Sequence, residues 1–330
     1  MRRIGLALIA LASAALAVVV GAQALARVPG GSGSSMGIVF ERDGDLYAIG
    51  VDDRRTLRLT NTRGWREEHP EVSPDGRWIA YTRRRGGADA TLWVRSIDGR
   101  SSKRLSSREA WDPAWSPDSR TIYFSRSLHQ ADKGTNFQYS ESCGAIFRIG
   151  IDGSGERRLT NPPWKDSFHS HFAPSVSPDG LRIAFTDANQ CSGGTTSLAL
   201  RVINTTGQTT TDLGRLPGNG YDPALPDYGA PAWSPDGGRI AFYGEPPLAL
   251  YLAHRDGHGR RRLTPTAMDT AWPESESPAW SPDGKWFAFA TSDNNHDLYL
   301  VRPDGTGLLR LTHTEASESA PSWIGRMIGK

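Results

Sequence analysis

The chain is poor in the signatures that usually announce an activity. It has no HExxH helix, no P-loop, no GxGxxG turn and no EF-hand loop among its 330 residues. No sequence motif therefore supports a zincin, a nucleotide-binding site or a calcium loop. No cofactor is expected. Gly33-Ser34-Ser35-Met36-Gly37 matches G-x-S-x-G in form. It lies in a Gly/Ser linker rather than on a strand–turn–helix elbow, so it carries no catalytic reading. There are only two cysteines, Cys143 and Cys191. Charge of one sign is missing as well. With the first 26 residues set aside, 36 basic residues face 36 acidic ones. That balance gives no electrostatic footing for nucleic acid or an anionic membrane. The Arg runs at 83–85 and 260–262 read as solvated strand and loop positions. Beyond residue 26 no segment is apolar enough to cross a bilayer.

The exception is the beginning. Arg2 and Arg3 precede an apolar run from Ile4 to Ala22, followed by Ala22-Gln23-Ala24 and Ala24-Leu25-Ala26. A basic start, an apolar stretch and small-residue A-x-A sites make a secretory signal. The length of the run also fits a retained N-terminal anchor. No Cys follows it, which excludes a lipoprotein anchor. We expect residues 1–26 to be a signal peptide, with the anchor as the alternative. Residues 27–35, which include "GGSGSS", are expected to be a flexible linker. Export makes an even cysteine count meaningful, because thiols pair in oxidising compartments.

What is abundant is turn chemistry, with 36 Gly and 22 Pro. "SPD" recurs at 73–75, 116–118, 177–179, 234–236 and 281–283, at spacings of 43, 61, 57 and 47. Periods in this range belong to repeat architectures. Before each turn stands "PEV", "PAW", "PSV", "PAW" or "PAW". After each comes an apolar-aromatic strand such as "RWIAYTR" or "RIAFTD". Pro presets φ, Asp bonds its own backbone, and Gly supplies the left-handed conformation that closes the hairpin. Ser119 replaces that Gly in the second copy, which predicts local strain. A second signal runs out of phase, as in "GIDGSGERRLT" and "RPDGTGLLRLT". Each unit thus reads as strand A, SPDG turn, strand B, variable loop, strand C, DG turn, strand D. Four antiparallel strands per unit make a propeller blade. Residues 38–60 supply strands B, C and D without an A, and "SAPSW" near the end supplies an A alone. Together they predict a sixth blade shared by the two ends of the chain.

The run "PAWSPDGKWFAFATSDNNHDLYLVRPDGTGLLRLT" resembles the WD40-like repeat of TolB-type six-bladed β-propellers. The resemblance covers 36–325 and leaves 326–330 as a C-terminal tail. It implies an all-β fold of six four-stranded antiparallel blades, the last closed by N- and C-terminal segments. TolB itself carries an N-terminal α/β domain, and prolyl oligopeptidase relatives carry a hydrolase domain. Neither pattern is recognisable here.

In such a blade the A–B and C–D turns lie on one face and the B–C and D–A loops on the other. The long segments 127–145, 161–173 and 215–230 fall on the second face. Binding residues are expected there, around the mouth of the central channel. The candidates are Trp65, His69, Trp111, Asp112, Trp164, His169, His171, Tyr228, Trp272 and Glu276. One reading is a ring that stacks a ligand and reads it with carboxylates. The other is that the aromatics pack their loops and the acids are solvated. His169-x-His171 is a weak metal candidate. Cys143 and Cys191 fall in B–C loops of neighbouring blades, and a disulfide between them is expected.

The functional expectation is an exported, monomeric binding or scaffold module for a protein, peptide or envelope glycan, periplasmic or extracellular, and not an enzyme. The alternative is a propeller enzyme, a polysaccharide lyase or hydrolase at the channel mouth. Some TolB-like propellers resemble oligogalacturonate lyases with metal-bound His. A membrane role is expected only through the N-terminal segment.

Overall fold

The computed structural model describes residues 36–128, 144–162, 170–188, 198–215, 230–244, 249–265, 277–291 and 296–324. Among them every regular element is a β-strand. The first blade comprises β4 (Arg66–Val72), β5 (Trp78–Arg84), β6 (Thr91–Ser96) and β7 (Ser102–Glu109). The second comprises β8 (Trp111–Trp115), β9 (Thr121–Ser127), β10 (Gly144–Gly150) and β11 (Arg157–Arg158). In the third are β12 (Ser170–Val176), β13 (Arg182–Ala188), β14 (Leu198–Asn204) and β15 (Thr209–Arg215). The fourth holds β16 (Ala232–Trp233), β17 (Arg239–Gly244), β18 (Ala249–His254) and β19 (Arg261–Arg262). The fifth holds β20 (Ala279–Trp280), β21 (Phe287–Ala290), β22 (Leu298–Val301) and β23 (Leu309–Arg310). In the sixth, the last strand, β24 (Glu318–Ile324), pairs antiparallel with β1 (Gly37–Arg42), which leads to β2 (Asp45–Gly50) and β3 (Thr56–Arg58). The split blade is therefore closed between the two ends of the propeller, Gly37 opposite Ile324 and Arg42 opposite Glu318.

The B strands are buried on both faces because each blade is packed between two others. The apolar core is accordingly divided into six clusters, one at each seam. Ala80, Leu92 and Val94 of the first blade meet Trp115, Ile122 and Phe124 of the second. Val39, Leu46 and Ile324 of the split blade meet Val72, Ile79 and Tyr81 of the first. The remaining four seams are built likewise. No seam is left open, and the ring closes.

Local chemistry explains the repeated motifs. In every SPD turn the Ser hydroxyl donates to the Asp carboxylate, as Ser73 Oγ does to Asp75 Oδ1 at 2.6 Å. The same hydroxyl accepts the N–H that begins strand B, from Trp78 at 2.9 Å in the first copy. The fourth residue is left-handed, with φ of 69° at Gly76 and 59° at Ser119. Ser119 bears the expected backbone strain, of about 1–3 kcal/mol. Its hydroxyl gains something in return, because it accepts the Asp75 N–H of the preceding blade at 3.1 Å. The Thr of "RLT" has a similar local use. Thr60, Thr160, Thr264 and Thr312 each accept the N–H at the start of their own strand C.

Candidate functional site

The six inner strands surround an axial channel. Four of them contain a β-bulge at an X-Pro step, where the register slips between Glu68 and Glu71, Trp111 and Ala114, Phe172 and Ser175, and Ser319 and Ser322. Proline cannot donate to a ladder, so such a step is skipped by the pairing. The residue before each proline is left-handed, with φ of 52° at His69, 48° at Asp112, 51° at Ala173 and 48° at Ala320. The strand resumes beyond the bulge. From sequence, strand A ends near the proline and the preceding polar residues fall in D–A loops. The bulge instead carries Glu67, Glu68, His69, Trp111, Asp112 and His171 along the channel wall as strand residues.

At the loop-face end of this wall, buried charges are paired across strands A and B. Glu318 is fully buried and accepts from Arg42 at 2.5 Å. Glu67 lies 3.4 Å from Arg83 and accepts from Thr62 at 2.8 Å. His171 Nε2 lies 3.5 Å from Asp187, with its ring tilted against Phe185. Ala110 occupies the corresponding place in the second blade. There Arg126, 1% exposed, turns to Glu156 at 2.6 Å, Ser106 at 2.7 Å and the Glu109 carbonyl at 2.8 Å. It also lies over the rings of Phe124 and Phe147. Glu68 is bound by Arg84 and Arg66. Burial alone would raise its pKa, but these bonds outweigh burial and hold it below the ordinary value. Glu41, close by, has its pKa pushed up to about 6, chiefly by burial and partly by Glu68, against His69 and Arg66.

Each expected binding residue among those described has a definite place. Trp65 is half-buried beneath Arg83 and Arg85, whose guanidinium carbons lie 4.4 and 5.8 Å from its ring centroids. Arg83 is held between Trp65 and Trp93 and is mostly buried, unlike the solvated position read from the Arg run. His69 Nδ1 lies 3.4 Å from Thr82 Oγ1. Asp112 accepts from the Ser125 hydroxyl and from the Ala173 N–H of the next blade, both at 3.2 Å. Trp111 is a half-buried strand residue. The structure thus brings His69, Asp112 and His171 to neighbouring inner strands. Trp164, His169, Tyr228, Trp272, Glu276, Cys143 and Cys191 lie outside the described residues. Among the described residues no group of three or more His, Cys, Asp or Glu could hold a metal ion.

Sequence reasoning missed the other end of the channel. A cavity of about 400 Å³ lies on the axis at the turn face. All six inner strands line it, and the prolines of the SPD turns form its rim. Its wall repeats one position around the ring, occupied by Glu71, Ala114, Ser175, Ala232, Ala279 and Ser322. Glu71 is the only ionisable side chain among the lining residues. Its neighbour Ser322 accepts the Val72 N–H at 2.9 Å and bonds the Glu71 carboxylate. Burial pushes the Glu71 pKa up to about 7, opposed by that bond. Three of the four Trp residues at or next to the end of an inner strand stitch neighbouring blades just outside this ring, while the Trp233 indole N–H makes no such bond. Trp115, Trp280 and Trp323 donate their indole N–H to the carbonyls of Glu71, Ala232 and Ala279, at 2.8, 3.1 and 2.9 Å. The signal for Glu71 was present in "PEV", but it became visible only with the repeats superposed as a ring.

Comparison with known proteins agrees with this architecture. The family model described as the TolB beta propeller domain matches residues 6–228. A protein of Agrobacterium fabrum is 35% identical over 149 residues, 43% of this chain and 46% of that protein. A TolB homolog from Chlorobium chlorochromatii is 29% identical over 158 residues, 47% of this chain and 32% of the homolog. The matched stretch is thus less than half the length of these curated relatives. The crystal structure of TolB from Acinetobacter baumannii superposes with a TM-score of 0.65 at 19% identity, covering 92% of this chain and 69% of that one. A chain of a nidogen/laminin complex gives 0.64 at 10% identity, covering 88% and 98%. At such identities the likeness is one of fold. The six-bladed ring, its split blade and the extent of the family match lead to one conclusion: the chain belongs to the TolB beta-propeller domain family.

Proposed function

We propose that this propeller is an exported scaffold that holds a protein partner at its loop-rich face, around the mouth of the axial channel. The observation that carries the reading is the set of buried polar pairs that anchors the inner strands just beneath that mouth. Glu318–Arg42, Glu67–Arg83 and His171–Asp187 tie three inner strands to their neighbouring strands at equivalent positions. These acids and His171 are buried, so they do not themselves touch a partner; they fix the strand ends from which the exposed loop residues around the mouth project. Curated relatives named as Tol-Pal system proteins support a protein as the partner class. The apolar leader supports export. We further propose that Cys143 and Cys191 form a disulfide on the same face.

A photo-crosslinking side chain at exposed Arg63, beside Trp65, tests the reading in the native cell envelope. The same probe at Leu181, on the turn face and 64% exposed, is the control. A discrete adduct with one protein is expected from position 63 and not from 181. Adducts from 181 alone, or from neither, would sink the proposal. Intact-mass analysis of the chain from fractionated cells should show a start after Ala24 or Ala26. Non-reducing peptide mapping should recover Cys143 and Cys191 in one linked peptide.

A further inference from the structure

We propose that the turn-face cavity of the axial channel is a second binding site, and that it takes a single organic cation, a primary ammonium carried on an alkyl stem. Five of the six ring positions are Ala or Ser, and only one carries a charge-bearing group, Glu71. Packing of the ring does not call for an acid, since Ala fills the same position in three blades. Apart from the ring positions, the wall is proline, valine and tryptophan with Ser73, Ser234 and Ser277, all uncharged. No Lys, Arg or His lines the cavity, so the carboxylate has no counter-ion there among the described residues.

A carboxylate in such surroundings favours a ligand that brings the missing charge and covers the apolar wall. An alkylammonium does both, because its stem packs on prolines while its head reaches the carboxylate. The Ser322 hydroxyl already bonds Glu71 and orients it. A hard divalent cation fits less well. Calcium takes six to eight oxygen ligands, and this wall offers one carboxylate among neutral serines, of which Ser73 and Ser234 are bonded within their own turns. The cavity volume of about 400 Å³ lies within the range of small-ligand sites. Entry is from the turn face, opposite the loop-rich mouth, so this site and the proposed scaffold surface stand or fall separately.

The protonation of Glu71 sets the pH dependence. With its pKa near 7, the carboxylate is about one-tenth ionised at pH 6 and nine-tenths at pH 8. No other titratable group lines the cavity to offset this. Calorimetric titration of the full chain with n-butylammonium should therefore show saturable one-site binding that tightens about tenfold from pH 6 to pH 8. The uncharged n-butanol should bind at least tenfold more weakly at pH 8. Glu71→Gln, nearly isosteric, should keep the wild-type circular dichroism and lose both the binding and its pH dependence. A second arm uses the tripeptide acetyl-Gly-Lys-Gly-amide. Binding of the peptide assigns the site to a partner's lysine, whereas binding of butylammonium alone assigns it to a free amine. Three results would overturn the proposal: no saturable binding, equal binding of butanol, or unchanged binding in Glu71→Gln. Tighter, Glu71-dependent binding of calcium chloride would overturn it in favour of a metal.

Discussion

The closure of the ring can be tested at one side chain. Trp323 belongs to the last strand and is 6% exposed. It packs with Ile38 and Phe40 of its own blade and Ala288, Leu300 and Leu311 of the fifth. Its indole donates to the Ala279 carbonyl at 2.9 Å. Truncation of a buried Trp to Ala costs about 3–5 kcal/mol. The lost hydrogen bond adds about 1 kcal/mol. For a domain of this size each kcal/mol lowers Tm by about 2–4 °C, so Trp323→Ala should melt about 10 °C or more below wild type. Trp115 makes the same bond at 2.8 Å across a seam whose strands are continuous in sequence. Trp115→Ala should therefore match Trp323→Ala within about 1 kcal/mol, allowing for context. Differential scanning calorimetry at neutral pH reads both. A Trp323→Ala protein melting within 2 °C of wild type, beside a strongly destabilised Trp115→Ala, would refute closure by β24 as an ordinary seam.

Three further outcomes follow from the same contacts. Deletion of residues 318–330 removes β24, takes from β1 one of its two partners and uncovers the fifth blade, so the single cooperative melt should be lost rather than merely shifted; a full-length-like transition would contradict the split blade. The folded state holds the Glu71 proton up to about pH 7, against an ordinary value of 4.5. The contribution of Glu71 to stability is therefore fully present below about pH 4.5 and lost as pH rises through 7. Urea melts should show Glu71→Gln gaining on wild type by up to about 3 kcal/mol between pH 4.5 and 8, and a pH-independent difference would rule out a raised pKa for this half-buried carboxyl. Arg126→Ala removes the bonds to Glu156, Ser106 and the Glu109 carbonyl and the packing on two rings, and should cost about 3 kcal/mol in chemical denaturation, with Arg126→Met recovering part through packing on Phe124 and Phe147.

The legibility of this protein in its sequence follows the range of the interactions involved. The SPD turns, the "RLT" closures and the alternation of short apolar strands are local solutions used again in each blade. A turn in which Ser73 reaches Asp75 and Trp78 is complete within six residues, so its signature survives in one dimension. The same regularity made "APSW" at 320–323 recognisable as a strand lacking its blade. The channel wall was harder to read. "HP", "DP" and "AP" look like strand starts, because proline breaks a ladder. Only the paired strand shows that the ladder skips the step and resumes, which puts His69 and Asp112 on the wall.

Sequence alone thus determined the fold class, the number of blades and the split closure, because each rests on periodic, short-range chemistry. Tertiary structure decided which residues share the axis. Glu71 and Ser322 are far apart in the chain and meet only when the ring closes. The pairing of Arg42 with Glu318 likewise exists only across that closure. The charge of a lone carboxylate is a property of its surroundings, and six separate strands supply them.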